Sequence, residues 1–478
     1  MRGGAVGPPF SARWERMRDR DWLRAIAKYD GEYSRRDVFR DFLKGGASQL
    51  AHVLQDRTKQ EPARFARLLL RFPGNTNPIY FTNVLWGLSE AEKIDPEMIW
   101  AVLRTCHNLP GRPCGDFISN VIRAYADEDA PGDILELVSW YALNAADPLW
   151  ETRHAATSGG QASYSGDPES AGLNSVRGGM ARAVADLLFG QPERLEFFRP
   201  RLQEMVADGS VAVRTQVAYA LLPVLNVDRP FAVEQFLRLC DGQDDCLLGA
   251  HYVFEFLRYA CYTHLPEMTP LLERMLQSDN EKAVRAGALV ASLAALSDPA
   301  AEGLADSCFR GSKAMRKAVA EVLAANIRRA PSRERCVQML TALFGDDAKE
   351  VHEAAGRCFE ALERDELGDF PVLVQAFIGS RSFEDGAFWF FHSLEKTTAL
   401  LPDIVCPACE RTVELLRDAP PGERYGSGRF ASRNNGIVLR LYERTKSTDV
   451  KRRCLDIIDL TLRHDVYGMD HTLSERES

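Results

Sequence analysis

A short phrase that pairs an apolar residue with arginine or histidine recurs through the middle of this sequence, each time opening a stretch of helical periodicity. Its clearest copy is NSVRGGMARAVADLLF at residues 174–189. Successive copies are 37, 37, 34, 31 and 36 residues apart, and their basic residues are Arg177, Arg214, His251, Arg285, Arg316 and His352. Periods in this range are typical of stacked helical hairpins, because one hairpin cannot bury its apolar face alone. The repeat therefore restricts the chain to an array of helix pairs.

The apolar spacing predicts an all-α fold, a HEAT/armadillo-like α-solenoid in which antiparallel helix pairs form a superhelix. Apolar residues recur at three- and four-residue intervals, and no run reads as a strand. Asp95 and Pro96 form a helix start signal, an N-cap followed by proline at the first helical position. In the first 150 residues we predict helices at 35–53, 61–71, 80–88, 95–105, 114–126 and 133–145.

Changes in composition divide the chain into four predicted regions. Residues 1–150 form an N-terminal helical region that holds six of the seven tryptophans. Residues 151–173 are rich in Gly and Ser and are predicted to be a flexible loop, either a solvated insertion or an ordered contact loop. Residues 174–362 are the HEAT-like repeats. Residues 363–478 are further helical repeats, interrupted by a loop at 418–436.

Charge and cysteine usage limit the classes of partner. The net charge is −9 and the pI is about 5.6, which disfavours a general nucleic-acid binder. No apolar run approaches the 18 or so residues that a membrane helix needs, so we expect no membrane partner. The eleven cysteines are mostly single and lie within apolar helical phrases. Scattered buried thiols favour a reducing compartment, and we predict the cytoplasm.

In four copies of the phrase an aspartate stands six residues before the basic residue. The pairs are Asp208 with Arg214, Asp245 with His251, Asp279 with Arg285, and Asp346 with His352. Such an aspartate can bind the free N–H groups of the helix that follows, and an arginine one turn into that helix can reach the aspartate of a neighbouring repeat. We expect a ladder of pairs along the stack. His251 and His352 depart from the pattern, so we do not expect a continuous arginine ladder at those two repeats.

This Asp-x5-Arg phrase before an Ala- and Leu-rich helix resembles the second helix of HEAT repeats. The resemblance covers at least residues 174–362, and it implies a protein-binding solenoid. From it we take Arg177, Arg214, Arg285 and Arg316 as a candidate interaction surface. Trp389 is a fifth candidate, because it lies in the aromatic run FWFF at 388–391, which is either a buried helix or a partner-binding patch.

Motifs of catalysis are absent from the sequence, apart from one pair of cysteines. There is no P-loop, no H-E-x-x-H and no G-x-S-x-G. Cys406 and Cys409 form a C-x-x-C, which needs a preceding strand for redox work or two further ligands for zinc. Thiols at a helix N-terminus can have a lowered pKa, so a thiol-dependent enzyme stays an alternative. We predict a non-enzymatic protein without cofactor or metal.

Several short phrases resemble the C-terminal helical region of STAND-type NTPases of the kind grouped with AVAST antiphage defence proteins. They are DWLRA at 21–25 with YD at 29–30, RFARL at 64–68, NSVRG at 174–178, and RCLD at 453–456 with YG at 467–468. In that family the repeat region is thought to be a sensor that grips a foreign protein. The resemblance implies a bacterial protein whose partner is a separate NTPase or a phage protein, and we expect the NTPase and effector modules to lie outside this chain.

The sequence thus predicts a helical-repeat scaffold or sensor that recognises another protein along its groove, because each added repeat rotates slightly and extends a binding surface. The alternative is a nucleic-acid-binding HEAT-like protein. Clustered Arg and Lys on inward-facing positions, with strongly salt-dependent binding, would distinguish that alternative.

Overall fold

The computed structural model of this protein describes residues 7–10, 13–31, 45–146, 167–242, 245–363, 365–418 and 428–463. Within those ranges the regular elements are α-helices and short 3-10 helices, and no β-strand is present. The all-α prediction is confirmed. None of the helices in the described part of the chain is long and apolar enough to cross a membrane.

The chain forms two compact units, Met1–Ala260 and Cys261–Ser478. Their boundary falls inside the predicted repeat region 174–362, and the predicted region boundaries, which rest on composition, stay predictions. The helices that begin in the first unit are α1 (Asp19–Lys28), α2 (Ala47–Gln60), α3 (Pro62–Leu69), α4 (Pro78–Glu90), α5 (Pro96–His107), α6 (Gly115–Ala124), α7 (Gly132–Asn144), α8 (Pro168–Leu173), α9 (Val176–Gly190), α10 (Leu195–Met205), α11 (Val211–Leu221), α12 (Arg229–Cys240) and α13 (His251–Leu276).

The first unit is built as two layers of alternating helices. Helices α2, α4, α6, α9 and α11 pack successively against one another and form one layer. Helices α3, α5, α7 and α10 pack in the same way and form the other. Each repeat thus gives one helix to each layer, which is the architecture of an α-solenoid.

The second unit repeats this plan. Its helices are α14 (Glu281–Ala295), α15 (Glu302–Phe309), α16 (Lys313–Ala325), α17 (Arg333–Leu343), α18 (Lys349–Gly356), α19 (Pro371–Ile378), α20 (Arg381–Gly386), α21 (Phe388–Lys396), α22 (Pro402–Asp418), α23 (Gly428–Arg444) and α24 (Thr448–Arg463). One layer contains α14, α16, α18 and α20, and the other contains α17, α19 and α22. The α-solenoid prediction is therefore confirmed within each unit.

Many helices begin at a polar cap followed by proline. The side chains of Asn77 and Asp95 accept hydrogen bonds from the backbone two residues on, and proline occupies the next position in both cases. Proline suits this position because its missing N–H would have no partner inside the helix. The predicted start at Asp95-Pro96 is confirmed.

Two glycines allow the first conspicuous repeat to pack closely. A Cβ added at Gly178 would lie 2.0 Å from the carbonyl oxygen of Gly172, and one added at Gly172 would lie 2.0 Å from that of Ala212. No side chain fits at such distances, so α8, α9 and α11 can approach this closely only with glycine at both positions.

The structure differs from the sequence prediction at the ends of both predicted loops. The described end of the 151–173 loop is helix α8, which begins after Asp167 and Pro168, a cap signal of the same kind as Asp95-Pro96. The described end of the 418–436 loop likewise belongs to α23. Asp418, the first residue of that loop, is the last residue of α22. Residues 151–166 and 419–427, and residues 35–44 of the helix predicted at 35–53, lie outside the described residues.

Helix α13 has non-helical backbone at His264, with φ −132° and ψ 37°. Pro266 and Pro270 follow within its next two turns. Each proline removes one backbone donor and its ring crowds the preceding turn, which accounts for the kink.

Candidate interaction surfaces

The repeat arginines of the first unit contact their own stack. Arg177, at the start of α9, forms an ion pair with Asp208 at 3.3 Å, and the two side chains are 19% and 6% exposed. Arg214, in α11, donates a hydrogen bond of 3.1 Å to the carbonyl oxygen of Leu239 at the end of α12. Both guanidinium groups therefore tie one hairpin to the next. The predicted reach from a repeat arginine to a neighbouring aspartate is confirmed at Arg177.

In the second unit the repeat arginines form similar links. Arg316 binds both carboxylate oxygens of Asp346, at 2.7 and 3.1 Å, and also donates to the carbonyl oxygen of Gly311. Burial raises the pKa of Asp346, but the hydrogen bonds from Arg316 and from the backbone outweigh it and the net shift is downward. Arg285 is more exposed, and it pairs with Glu321 of α16 at 2.7 Å.

His352 continues this chain of contacts in place of an arginine. Its Nε2 lies 2.6 Å from the carboxylate of Asp385, and its Nδ1 lies 3.0 Å from the carbonyl oxygen of Asp346. Both partners are acceptors, so the ring makes both bonds when each nitrogen carries a proton. At His352 the ladder has no arginine, as the sequence indicates, but the imidazole reaches the next helix in its place. At His251, in contrast, the ring lies beside Tyr252, with centroids 5.2 Å apart.

Contacts between a basic side chain and a carboxylate join α14, α16, α18, α20, α22 and α24 in succession, and we call them the ion-pair ladder. Its pairs are Arg285–Glu321, Lys313–Glu350, Arg316–Asp346, Lys349–Asp385, His352–Asp385, Arg411–Glu384 and Arg453–Glu410. Each basic side chain of the ladder faces a carboxylate from a neighbouring helix or its preceding loop. The basic side chains of the ladder therefore have their partners inside the second unit.

Trp389 lies with the ladder residues in the second unit but on a different helix, α21. It packs partly buried against the hydrophobic core, with its ring 5.0 Å from that of Phe388. Its neighbours Phe390 and Phe391 are fully buried. Of the five predicted surface residues, Arg177 and Arg214 lie in the first unit and the other three in the second.

The first unit carries a different kind of surface, which the sequence analysis missed. We call Arg182, Phe189, Tyr219 and Tyr252 the aromatic ridge. The Arg182 guanidinium lies over the rings of Tyr219 and Tyr252, 5.1 and 5.6 Å from their centroids, and donates 2.7 Å to the Tyr252 hydroxyl. The two tyrosine rings are 4.6 Å apart. A cation over two adjacent rings is attracted by their negative faces, so the three side chains hold one another in place.

On α9, Phe189 extends the ridge and Asp186 holds it in place. Phe189 is 50% exposed, and its ring lies 6.0 Å from that of Tyr219. The Tyr219 hydroxyl donates 2.9 Å to Asp186, which also accepts 2.7 Å from Arg123. Burial, and then the carboxylate of Asp186, raise the pKa of Tyr219 to about 12. The phenol therefore keeps its proton and its hydrogen bond at neutral pH, and the ridge stays ordered.

A sequence signal for the ridge existed. Arg182 and Tyr219 are 37 residues apart, and each lies five residues after the arginine of its repeat phrase. Five residues along a helix turn the side chain by about 140° from the arginine, away from the contact with the neighbouring hairpin. In the second unit the residue five positions after Arg316 is Glu321, which belongs to the ladder, and the one after Arg285 is the buried Val290. The surface was thus indicated by the position five residues after the repeat arginine, where the residue type varies, and not by the arginine itself.

Cys406 and Cys409 lie inside α22, and both are buried. Burial raises the pKa of Cys406 to about 12 and that of Cys409 well above its ordinary value. The shift is opposite to that of a reactive thiol, which needs its thiolate form. In the described ranges no three His, Cys, Asp or Glu side chains converge as metal ligands would.

Comparisons with known proteins bear on the fold alone. No known protein-family profile matches the chain, and no curated protein matches it. Among solved structures it is similar to an engineered protein from a structural genomics consortium, with 12% identity, 87% of this chain and 94% of that chain covered, and a TM-score of 0.31. It is also similar to a chain in a structure of Kap95p with RanGDP, with 11% identity, 96% and 69% covered, and a TM-score of 0.41. At such values the likeness extends to neither function nor partner, and the helix packing within each unit carries the identification of a helical-repeat protein.

Proposed function

We propose that this protein is a non-enzymatic helical-repeat scaffold that binds another protein through the aromatic ridge of its first unit. The observation that carries the proposal is the ordered cluster of Arg182, Tyr219 and Tyr252 beside the half-exposed Phe189. Tyrosine and arginine dominate the energetically important residues of protein interfaces. Here they are assembled before any partner arrives.

The order of the cluster matters for affinity. Binding costs free energy when flexible side chains must be immobilised, about 0.5–1.5 kcal/mol for each rotamer-rich side chain. Arg182 is already held by a hydrogen bond and two rings, and Tyr219 by Asp186. A partner that packs on Phe189 therefore contacts side chains that are already fixed, so binding loses little side-chain entropy on this surface.

The non-enzymatic part of the proposal is supported by the sequence, which lacks the motifs of nucleotide binding and hydrolysis, and by the raised pKa of Cys406 and Cys409. Ten of the eleven cysteines are buried. This pattern favours a reducing compartment, so we place the scaffold in the cytoplasm.

A finer role is a sensor in a bacterial antiphage defence system, with a separate NTPase or a phage protein as its partner. It is supported by the short STAND-like phrases alone. The test is capture of the tagged protein from its host with and without phage infection, followed by mass spectrometry. Near-stoichiometric recovery of an NTPase or a phage protein would support this role, and recovery of the same host proteins in both conditions would count against it.

A nucleic-acid partner is the weaker alternative. Lys and Arg bind the phosphates of a nucleic acid and release the counterions that had neutralised them. The described ladder cations of the second unit already face carboxylates, so phosphates would have to displace those pairs.

Site-specific photo-crosslinking tests the proposal. A photoreactive phenylalanine analogue at Phe189 reports on the ridge, and the same analogue at Val372, which is 66% exposed in the second unit, is the matched control. We expect one partner to crosslink from position 189 and not from 372. Combining position 189 with Arg182→Glu and Tyr252→Ala should remove the product. Equal products from both positions would refute the assignment of the ridge.

A further inference from the structure

A cleft of about 640 Å³ opens in the first unit between α5, α7 and α10, away from the residues of the aromatic ridge. It adjoins a smaller hollow of about 310 Å³ beneath the loop after α5, and Trp140 lines both. Leu137 and Leu143 add apolar surface. This volume lies within the range of pockets that hold small ligands or anchoring side chains, about 300–1,000 Å³.

Most of the charges around the cleft are already matched. Arg104 binds both oxygens of Asp133, at 2.6 and 3.0 Å, and Arg201 binds Glu136 at 2.8 Å. Arg112 differs from them, because in the described ranges it has no carboxylate partner. It lines the adjoining hollow and is therefore the cation beside the cleft that is open to an incoming anion.

The backbone holds Arg112 in an unusual place. Its φ is +48°, and that of the preceding Gly111 is +73°. Left-handed backbone is rare for residues with a Cβ, and where it occurs it is often kept for function. Here it brings the guanidinium to 3.6 Å from the centroid of the Trp140 ring. The stack fixes the direction in which Arg112 presents its N–H donors.

His107 supports the same stack from the side. Its ring meets those of Trp140 and Tyr141 edge-on, with centroids 5.8 and 5.3 Å apart. Burial, and then the nearby charge of Arg112, lower the pKa of His107. The imidazole is therefore neutral at neutral pH, and the positive charge of the adjoining hollow belongs to Arg112.

We propose that this cleft and the adjoining hollow bind an acidic, apolar peptide segment of a partner protein, with a carboxylate on Arg112 in the hollow and an adjacent apolar side chain against Trp140 and Leu143 in the cleft. The site stands independently of the aromatic ridge. Charge complementarity favours a peptide over single-stranded nucleic acid, although both use Arg and Trp. Because Arg104 and Arg201 already bind Asp133 and Glu136, Arg112 is left as a single cation, which matches one carboxylate rather than a chain of phosphates.

The test uses the full-length protein and a dye-labelled, amidated peptide that carries one Glu-Leu pair among Gly and Ser residues, with fluorescence anisotropy as the readout. Its Gln-Leu counterpart and a labelled oligothymidylate are the competing probes. We expect the Glu-Leu peptide to bind at least about tenfold more tightly than the Gln-Leu peptide. In Arg112→Gln that preference should disappear. Lys93→Gln, which removes a cation outside the cleft, should leave it unchanged.

A second variant separates binding from folding. Arg112→Gly suits the left-handed backbone, so the variant should unfold at the same temperature as the wild type or higher, yet it should lose the preference for Glu. The ridge variant Tyr252→Ala should keep it. Equal binding of the two peptides, an unchanged preference in Arg112→Gln, tighter binding of the oligothymidylate, or no binding of the Glu-Leu peptide at about 1 mM would each overturn the proposal.

Discussion

Equivalent helices of the repeat carry different side chains on their exposed surfaces in the two units. In the second unit the residue five positions after Arg316 is Glu321, which pairs with Arg285 of α14. In the first unit the same position is Arg182 and then Tyr219, which both contact Tyr252 and lie beside exposed Phe189. The same repeat thus gives one surface whose charged side chains pair with one another, and another surface whose aromatic side chains are available to a partner.

The difference teaches how to interpret charge in a repeat protein. Exposed ion pairs contribute only about 0–1 kcal/mol each, so the ladder is better understood as matching neighbours than as a store of stability. A matched pair must also be broken before either partner can bind something else. Exposed aromatic area carries no such cost, which is why we assign recognition to the first unit.

Thiol labelling should give the largest contrast between the units. Cys246 in the first unit is exposed, whereas all seven cysteines from Cys261 onward are buried. We expect iodoacetamide to modify Cys246 in the native protein at least about a hundredfold faster than Cys406, because a buried thiol reacts only after local opening. Peptide mass spectrometry measures both rates. Comparable rates would mean that α22 does not pack as described.

His352→Ala should be the most damaging change to the ladder. It removes contacts with Asp385 and with the carbonyl oxygen of Asp346 from a site where the imidazole is 4% exposed. We expect a loss of about 2–4 kcal/mol in the free energy of unfolding, measured by urea denaturation of the full chain. Arg182→Ala on the ridge is the control and should cost at most about 1 kcal/mol. A larger loss of unfolding free energy for Arg182→Ala than for His352→Ala would contradict this prediction.

Acid should weaken the ladder in a defined direction. The pKa of Asp346 and that of Asp385 are both lowered in the folded protein, since their hydrogen bonds outweigh burial. The stability they contribute is present above the unfolded carboxyl pKa of about 3.9 and is lost as the pH falls through the lower folded pKa. Wild type should therefore lose stability more steeply than Asp346→Asn plus Asp385→Asn below about pH 4. Parallel curves from urea titrations would contradict this.

The smallest effect should come from Arg285, whose side chain is 48% exposed. Arg285→Ala should lower the free energy of unfolding by about 0.5 kcal/mol or less. Arg316→Ala, which leaves the 8% exposed Asp346 without its main partner, should cost about 1–3 kcal/mol. If the two substitutions lower the free energy of unfolding by the same amount, the contribution of a ladder pair does not depend on its burial, and our description is wrong.

The sequence predicted the fold well because periodicity and helix caps are local signals. The start at Asp95 and the link from Arg316 to Asp346 followed directly from residue type and spacing. Helix α8 was missed because the Gly- and Ser-rich segment before Asp167 outweighed a sound cap signal. The ridge was missed for a tertiary reason: which face of α9 meets solvent depends on α11 and α13, and no single helix encodes that.

Partner affinity of matched variants tests the central claim most directly. Once a partner is identified by crosslinking, its Kd should be measured for the wild type, for Arg182→Ala with Tyr219→Ala and Tyr252→Ala, and for the ladder variant Arg285→Ala with Lys313→Ala. We predict a loss of about a hundredfold or more for the ridge variant, because interface aromatics and arginines each cost about 2 kcal/mol or more when truncated. The ladder variant should bind as the wild type does. Unchanged binding by the ridge variant, or a loss confined to the ladder variant, would contradict the account.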